Sequence, residues 1–510
     1  MKAIARSLAV IFVALIAVPA LAVSYTITAA VHLLATTALI MGGTEHPLTP
    51  DVDPDSFVAT YYGQAVNNFI VPGSNPEQPI TPYAVTYPAE FFPVFGSTTF
   101  DDSVEEGVIN LGACLGATDD VCHVRSGQPP APGETHFVVF GYSQSAVVAS
   151  LVKNQLIDGE IDGTDLDGTE FYLISNPMRP NGGILARGFE GMTIPIFGIT
   201  FYGPTENSCP TATPCTPANT DTPVYPTVDV AQQYDFLGGD APARPLNLLA
   251  MLNSLAAYAQ LHGDVPSHSI GEDGMIDQGQ YGDTQYYLIT SERLPILLPL
   301  QTVGVPSAAL ALPDAILRVW IEDAYVRDQS PGEHVQFQLI PIGDPIGLIG
   351  NTLGAIPVGI DDTFQQATGP GSTLRPLGTA DVYRPFGVGG PVYDKTTGDQ
   401  TTDSNVLPFN GAKSSLAPQQ SLQTQTESTQ GEPDAKKLGN EETQQTNTPP
   451  EGTKPRPLQV LRDSLKFDTP KPPSATRPSG DGPLKKIVGA MTGQRPTAAD
   501  AGDEPANDAA

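Results

Sequence analysis

An α/β architecture, with a mainly parallel sheet flanked by helices, is what this sequence predicts, and three observations carry the prediction. Short apolar and β-branched runs, ALIM at 38–41, FVVF at 137–140 and EFYLI at 170–174, recur between segments with helical spacing. The order strand, helix, strand is complete before residue 140, which favours crossover connections and parallel pairing. Third, residues 135–151, THFVVFGYSQSAVVASL, read as a strand that breaks at Gly141 and resumes after Ser145 as an Ala/Val/Leu helix.

Ser143 stands at the apex of that break. A strand, sharp turn and helix in immediate succession lift a serine hydroxyl above the end of a central strand and leave backbone N–H groups beside it, the nucleophile elbow of an α/β-hydrolase fold. Glycine suits the turn because a side chain would collide with the neighbouring strand and helix. The pattern GxSxG asks for a fifth-position glycine where this chain has Ser145, a small residue that still fits.

Taken from its start, the chain carries Lys2 and Arg6, an apolar run over 8–18 and then Ala20-Leu21-Ala22. This is the charged, apolar, small-residue order of a secretory signal peptide over 1–22, cleaved after Ala22. The alternative, an uncleaved anchor, is disfavoured by a core short of the roughly 20 residues that span a bilayer. Export agrees with the four cysteines, which fall into two local pairs, Cys114 with Cys122 and Cys209 with Cys215. Even numbers at close spacing in an exported chain imply disulfides that each close their own loop. Neither pair has CxxC spacing and no histidine cluster accompanies them, so neither a structural metal nor a cofactor is expected.

The 510 residues allow one large domain with extras. From 393 to 510 the chain is rich in Pro, Gln, Thr, Ser and Gly and nearly free of aromatics, a composition that cannot bury enough apolar surface to order itself, so a disordered tail is expected there, with at most a transient helix near 458–467. The net charge of −31 argues against nucleic-acid binding, since phosphate contacts need a basic surface.

Gly42-Gly43-Thr44 follows the first strand, and a glycine turn there lets backbone approach a substrate carbonyl oxygen, with the Thr44 hydroxyl as a further oxyanion donor. Strands are expected at 84–87, 170–174, 227–234 and 285–290, helices at 103–115 and 246–261, and a flap or short hairpin across RPNGGILARGFEGMTIPIFGITFYGPT. The segment RLPILLPLQTVGVP is expected to pack on the core rather than form the lip of an acyl groove. After the strand near 230 come two candidate acids. Asp240, at the loop tip beyond two glycines, is preferred, and Asp235, nearer the strand, is kept beside it. Of seven histidines, His262, His268 and His334 lie downstream of these acids. His262 is the candidate base, because it ends a buried-looking helix whose C-terminus favours the imidazolium that forms when serine gives up its proton. His268 and His334 read as a turn residue and a surface residue.

GGT after the first strand, GYSQSA at the elbow, NPMRPNGGILARG, and YDFLGGDAPARPLNLLAMLNSLAAYAQLHG together resemble the PE-PPE domain, a serine α/β-hydrolase module similar to cutinases. The resemblance spans about 37–330, with 331–392 read as an extension of that domain. It implies Ser143 as nucleophile, His262 as general base, an acid in the YD…D segment, and the N–H of Gln144 beside Thr44 as oxyanion donors. One residue more than usual separates the two aspartates, which is why both stay in play. The function implied is an exported or envelope-associated serine acyl hydrolase or acyltransferase working on lipid or glycolipid esters, trehalose lipids among them. The rival readings are a non-catalytic envelope protein on a degenerate scaffold and a protease of the same fold.

Overall fold

The computed structural model describes residues 36–400, apart from 75, 77–78, 119, 132–133, 135, 164–165, 210–212, 216–222 and 399. The expected signal peptide and the expected tail beyond 400, with its helix near 458–467, lie outside the described residues.

Nine strands are present among the described residues: β1 (Thr36–Met41), β2 (Ile80–Ala84), β3 (Phe137–Tyr142), β4 (Glu170–Ile174), β5 (Thr193–Ile194), β6 (Ile199–Thr200), β7 (Thr227–Gln232), β8 (Met275–Tyr281) and β9 (Thr284–Ile289). Seven form one sheet in the order β2-β1-β3-β4-β7-β9-β8, parallel throughout except for β8 against β9, and β5 pairs with β6 as the expected small hairpin. The principal helices are α1 (Asp55–Gln64), α2 (Phe100–Cys114), α3 (Gln144–Ile157), α4 (Leu248–Leu261), α5 (Ser307–Glu322) and α6 (Pro345–Thr368). Among the described residues no helix is long and apolar enough to cross a membrane.

The central strands are apolar throughout because both faces are covered. Register sorts their side chains. Leu39, Val139 and Phe171 lie side by side and pack under α2 and α3, while Ile40, Phe140, Tyr172 and Val228 form the opposite row. There Tyr61 and Phe69, from α1 and the π-turn that continues it, both rest on the Phe140 ring at 5.9 Å between centroids. Cys114 is bonded to Cys122 and Cys209 to Cys215, as expected.

Some elements differ from the sequence reading. The strand expected at 84–87 lies at 80–84, running through Pro82, which the edge position tolerates because β2 has a neighbour on one side only. The helical stretch from 55 to 74 has no counterpart in the sequence reading, and β8 is an edge strand whose polar sequence and bulge between Asp277 and Gly279 hide its period. Leu294 and Leu297 of the Pro/Leu-rich segment are buried in the packing around α4 and α5. The extension beyond 330 is bonded to the domain: Phe337 donates its N–H to the Arg187 carbonyl and Gln338 to that of Ala243, both with short N···O distances of 2.9 and 2.8 Å. Bonding continues past 393, where the tail was expected to start, since Gly274 donates to the Lys395 carbonyl and Gly398 to that of Asp394.

One buried ion pair ties a helix to the far side of the sheet. Lys153 of α3 donates to Asp283 at 2.8 Å with both side chains fully buried, and burial pulls the lysine pKa down while Asp283 opposes it. The second Asp283 oxygen accepts from the Ser208 N–H and hydroxyl. Removing the lysine strands a carboxylate in the interior, so Lys153→Met is expected to cost about 3–5 kcal/mol in urea unfolding, and Lys153→Met with Asp283→Leu distinctly less.

Candidate active site

The elbow is built as the sequence suggests. β3 ends at Tyr142 and α3 begins at Gln144, so Ser143 alone makes the turn, with φ 57° and ψ −116°. That left-handed backbone is unusual for a residue with a side chain and is held by its surroundings. A Cβ on Gly141 would stand 2.4 Å from the Ser145 carbonyl oxygen, which fixes glycine there. Ser145 is fully buried and earns its place where the usual pattern has glycine. Its hydroxyl accepts the Tyr142 N–H at 2.8 Å and lies 3.1 Å from the carbonyl oxygens of Met41 and Tyr142. The departure from GxSxG is thus a pin between the elbow and the end of β1.

His262 follows α4 directly and is nearly buried, with 7 % exposure. Its Nε2 lies 2.9 Å from the Ser143 hydroxyl and its Nδ1 lies 2.6 Å from an Asp235 carboxylate oxygen. A carboxylate only accepts, so Nδ1 carries the proton and Nε2 is left to accept from Ser143. Two tyrosines hold the ring: Tyr142 stacks on it at 5.3 Å and Tyr258, one helical turn earlier, lies at 4.8 Å. The Tyr142 hydroxyl also donates to the His262 carbonyl oxygen at 2.6 Å. Burial first, then the Asp235 charge, pushes the Tyr142 phenol pKa well up and keeps it a donor.

Asp240, the preferred acid from sequence, is not the carboxylate on the imidazole. It accepts two bonds from Arg327, at 2.6 and 2.9 Å, and one from the Tyr234 N–H at 2.8 Å, so it closes the loop rather than orienting His262. Asp235 takes that position. It is fully buried, and a Cβ on Gly238 would come 2.1 Å from its carboxylate, so the glycines ahead of Asp240 make room for Asp235. His268 pairs with Glu272 instead, and His334 lies on the surface against the Ala186 carbonyl.

Gln144 opens α3, so its N–H has no acceptor within the helix and lies at the positive end of the helix dipole. Its buried side chain donates to the Glu90 carbonyl at 2.8 Å, while the adjacent Ala89 carbonyl accepts the Glu45 N–H at 2.9 Å. Residues 89–90 therefore join α3 to the turn that carries half-buried Thr44. Gly43 packs against the Tyr142 ring, and the hydroxyls of Tyr61 and Tyr87 donate to the Met41 and Gly42 carbonyls at 3.0 and 2.7 Å. The carbonyls of this turn are thus engaged in the interior. Sequence reading missed Tyr142, Tyr258 and the pinning role of Ser145. Only Tyr258 left a trace, its i,i+4 spacing from His262.

With this geometry in view, residues 78–326 match the PE-PPE domain. Over 320 residues the chain is 34% identical to the uncharacterized PPE family protein PPE42 of Mycobacterium tuberculosis (strain CDC 1551 / Oshkosh), covering 60% of this chain and 47% of that protein. It is 32% identical over 362 residues to esterase PE16 of Mycobacterium tuberculosis (strain ATCC 25618 / H37Rv), covering 68% of this chain and 60% of that one. The SL1278 acyltransferase Chp1 of the same strain is 28% identical over 273 residues, 49% of this chain and 55% of that protein. The chain spans about half the length of the curated relatives it matches. Over residues 78–326 the chain is thus similar to the proteins that carry a PE-PPE domain.

Proposed function

We propose that this chain is an exported serine acyl hydrolase or acyltransferase acting on lipid esters, with acylated sugar lipids among its candidate substrates. The observation that carries the reading is the continuous line of hydrogen bonds from Asp235 through His262 to Ser143, at 2.6 and 2.9 Å. Ser143 Oγ attacks the ester carbonyl as its proton passes to His262 Nε2, and Asp235 steadies the imidazolium that results. The charge on the carbonyl oxygen is met by the Gln144 N–H and by Thr44. Collapse expels the alcohol, which takes the proton from His262 and leaves the acyl group on Ser143. Water or a sugar hydroxyl then gives up a proton to His262 and attacks the acyl carbon, and collapse breaks the bond to Ser143 Oγ, which takes that proton back from His262. The relatives named an esterase and an acyltransferase favour these two outcomes over peptide cleavage.

A fluorophosphonate probe is expected to label the wild-type chain and not Ser143→Ala; equal labelling of both would overturn the assignment. Asp235→Asn is expected to lower ester kcat by up to about 10⁴-fold, by favouring the wrong imidazole tautomer. Asp240→Asn instead keeps near-normal turnover and loses stability, by less than the about 3–5 kcal/mol of a fully unpaired buried charge, because Arg327 keeps Glu322 as a partner. In steady-state kinetics Thr44→Val is expected to lower kcat about 10²-fold with KM little changed, the mark of a donor used in the transition state.

A further inference from the structure

Between Glu190 and Glu206 the sequence carries no charged residue, and within that stretch all seven residues from Gly191 to Phe197 are exposed. They include β5 and the turn of the β5–β6 hairpin. Phe189 and Ile196 are 74 and 73 % exposed, and Met192, Ile194 and Phe197 stand out beside them. Apolar side chains gathered on an exposed tip cost free energy in water until something covers them. Two strands of two residues each do not hold together alone, so the tip is displayed by what grips its base. Phe100 and Asp101, which open α2, donate their N–H groups to the Phe197 and Gly198 carbonyls at 3.4 and 2.8 Å. The buried Asp101 carboxylate accepts from the Thr200 N–H and hydroxyl and from the Tyr202 hydroxyl at 2.9, 2.8 and 2.7 Å. The same turn of α2 reaches the catalytic elbow: the Ser103 hydroxyl accepts the Glu90 N–H at 3.1 Å, and the Glu90 carbonyl accepts the Gln144 side chain.

Three features of the hairpin say what covers it. Many of its polar groups are already spent within the protein. Besides the Phe197 and Gly198 carbonyls, the Gly191 N–H bonds the Phe201 carbonyl and the Met192 N–H that of Phe189, the Thr193 hydroxyl lies 2.7 Å from that of Thr200, and Pro195 has no N–H. The tip therefore gives up little hydration on leaving water, which is the condition for entering a hydrocarbon layer. Secondly, successive residues of a ribbon point to opposite faces, and here both faces are exposed. A folded partner would need a socket closed around the tip, whereas a lipid layer flows round any shape. Thirdly, the charges beside the hairpin have one sign. Glu190 ahead of it and Asp102 at its base are exposed, while Arg187 is buried on the Ala241 and Val335 carbonyls. Carboxylates so placed repel an anionic lipid surface, so the fit is to one without net charge.

We propose that the β5–β6 tip docks this protein on an uncharged lipid layer, with Met192, Ile194, Ile196 and Phe197 entering among the acyl chains. The purpose of docking rests on the lipid-ester reading of the Ser143 centre; docking itself needs no turnover. All four cysteines are held in disulfides, so Ile196→Cys takes a single nitrobenzoxadiazole label. The labelled full chain, carrying Ser143→Ala, is titrated with phosphatidylcholine vesicles. The emission is expected to move to the blue and to be quenched by lipids brominated in their acyl chains. A label on Ser56→Cys, in α1 on the opposite face of the sheet from α2, is expected to do neither. Adding Met192→Asp to the chain labelled at 196 should weaken the titration by about tenfold or more, since a charge is costly to bury in the layer. Met192 is exposed, so its variant keeps the fold, and an unchanged thermal midpoint checks this. The proposal is overturned if the label at 196 does not respond, if the label at 56 responds equally, or if Met192→Asp titrates unchanged. It is also overturned if phosphatidylglycerol vesicles bind more tightly, or if the shift grows with protein concentration without vesicles, which would make a second copy the cover. Fluorophosphonate labelling of the wild type tests the Ser143 reading separately, so docking without labelling, or labelling without docking, tells the two failures apart.

Discussion

A single residue joins β3 to α3, and the chain can make that join only if Ser143 accepts a left-handed backbone with φ 57°. Everything around it serves that constraint. Gly141 leaves room for the returning helix, and Ser145 bonds the Tyr142 N–H and reaches the end of β1. A strained serine is tolerable because its neighbours are buried and bonded, so the strain has nowhere to relax. The result is a hydroxyl displayed at the carboxyl edge of a parallel sheet, beside the first N–H groups of a helix.

The partner residues reach that edge by a different principle. Side chains from distant segments reach one edge of the sheet because each segment leaves the carboxyl end of a parallel strand: Thr44 after β1, Ser143 after β3 and Asp235 after β7. His262 arrives from α4, which returns from the β7 loop. The imidazole is then fixed by aromatic packing and by the bond from Tyr142 to its own carbonyl, as well as by Asp235. The PE-PPE match begins at residue 78, yet β1 lies between β2 and β3 and contributes the glycine turn. The working unit therefore includes chain ahead of the matched region.

The YDFLGGD loop divides its two acids between separate tasks. Asp235 folds back over Gly238 toward His262, while Asp240 is drawn outward to Arg327, itself bonded to Glu322. One carboxylate orients an imidazole and the other fixes the loop that carries the first. Their proximity in sequence concealed how different their surroundings are.

Periodicity and local chemistry were enough, from sequence, for the α/β class, the elbow at Ser143, the strand at 170–174, the helix that delivers His262 and the two cysteine pairs, since each depends on residues a few positions apart. Edge elements were harder, because β2 carries Pro82 and β8 carries a bulge, and neither shows the alternation of a buried strand. Which of Asp235 and Asp240 lies against His262 is visible only in three dimensions. What separates them is Arg327, 87 residues from Asp240, and no local pattern encodes a partner at that distance.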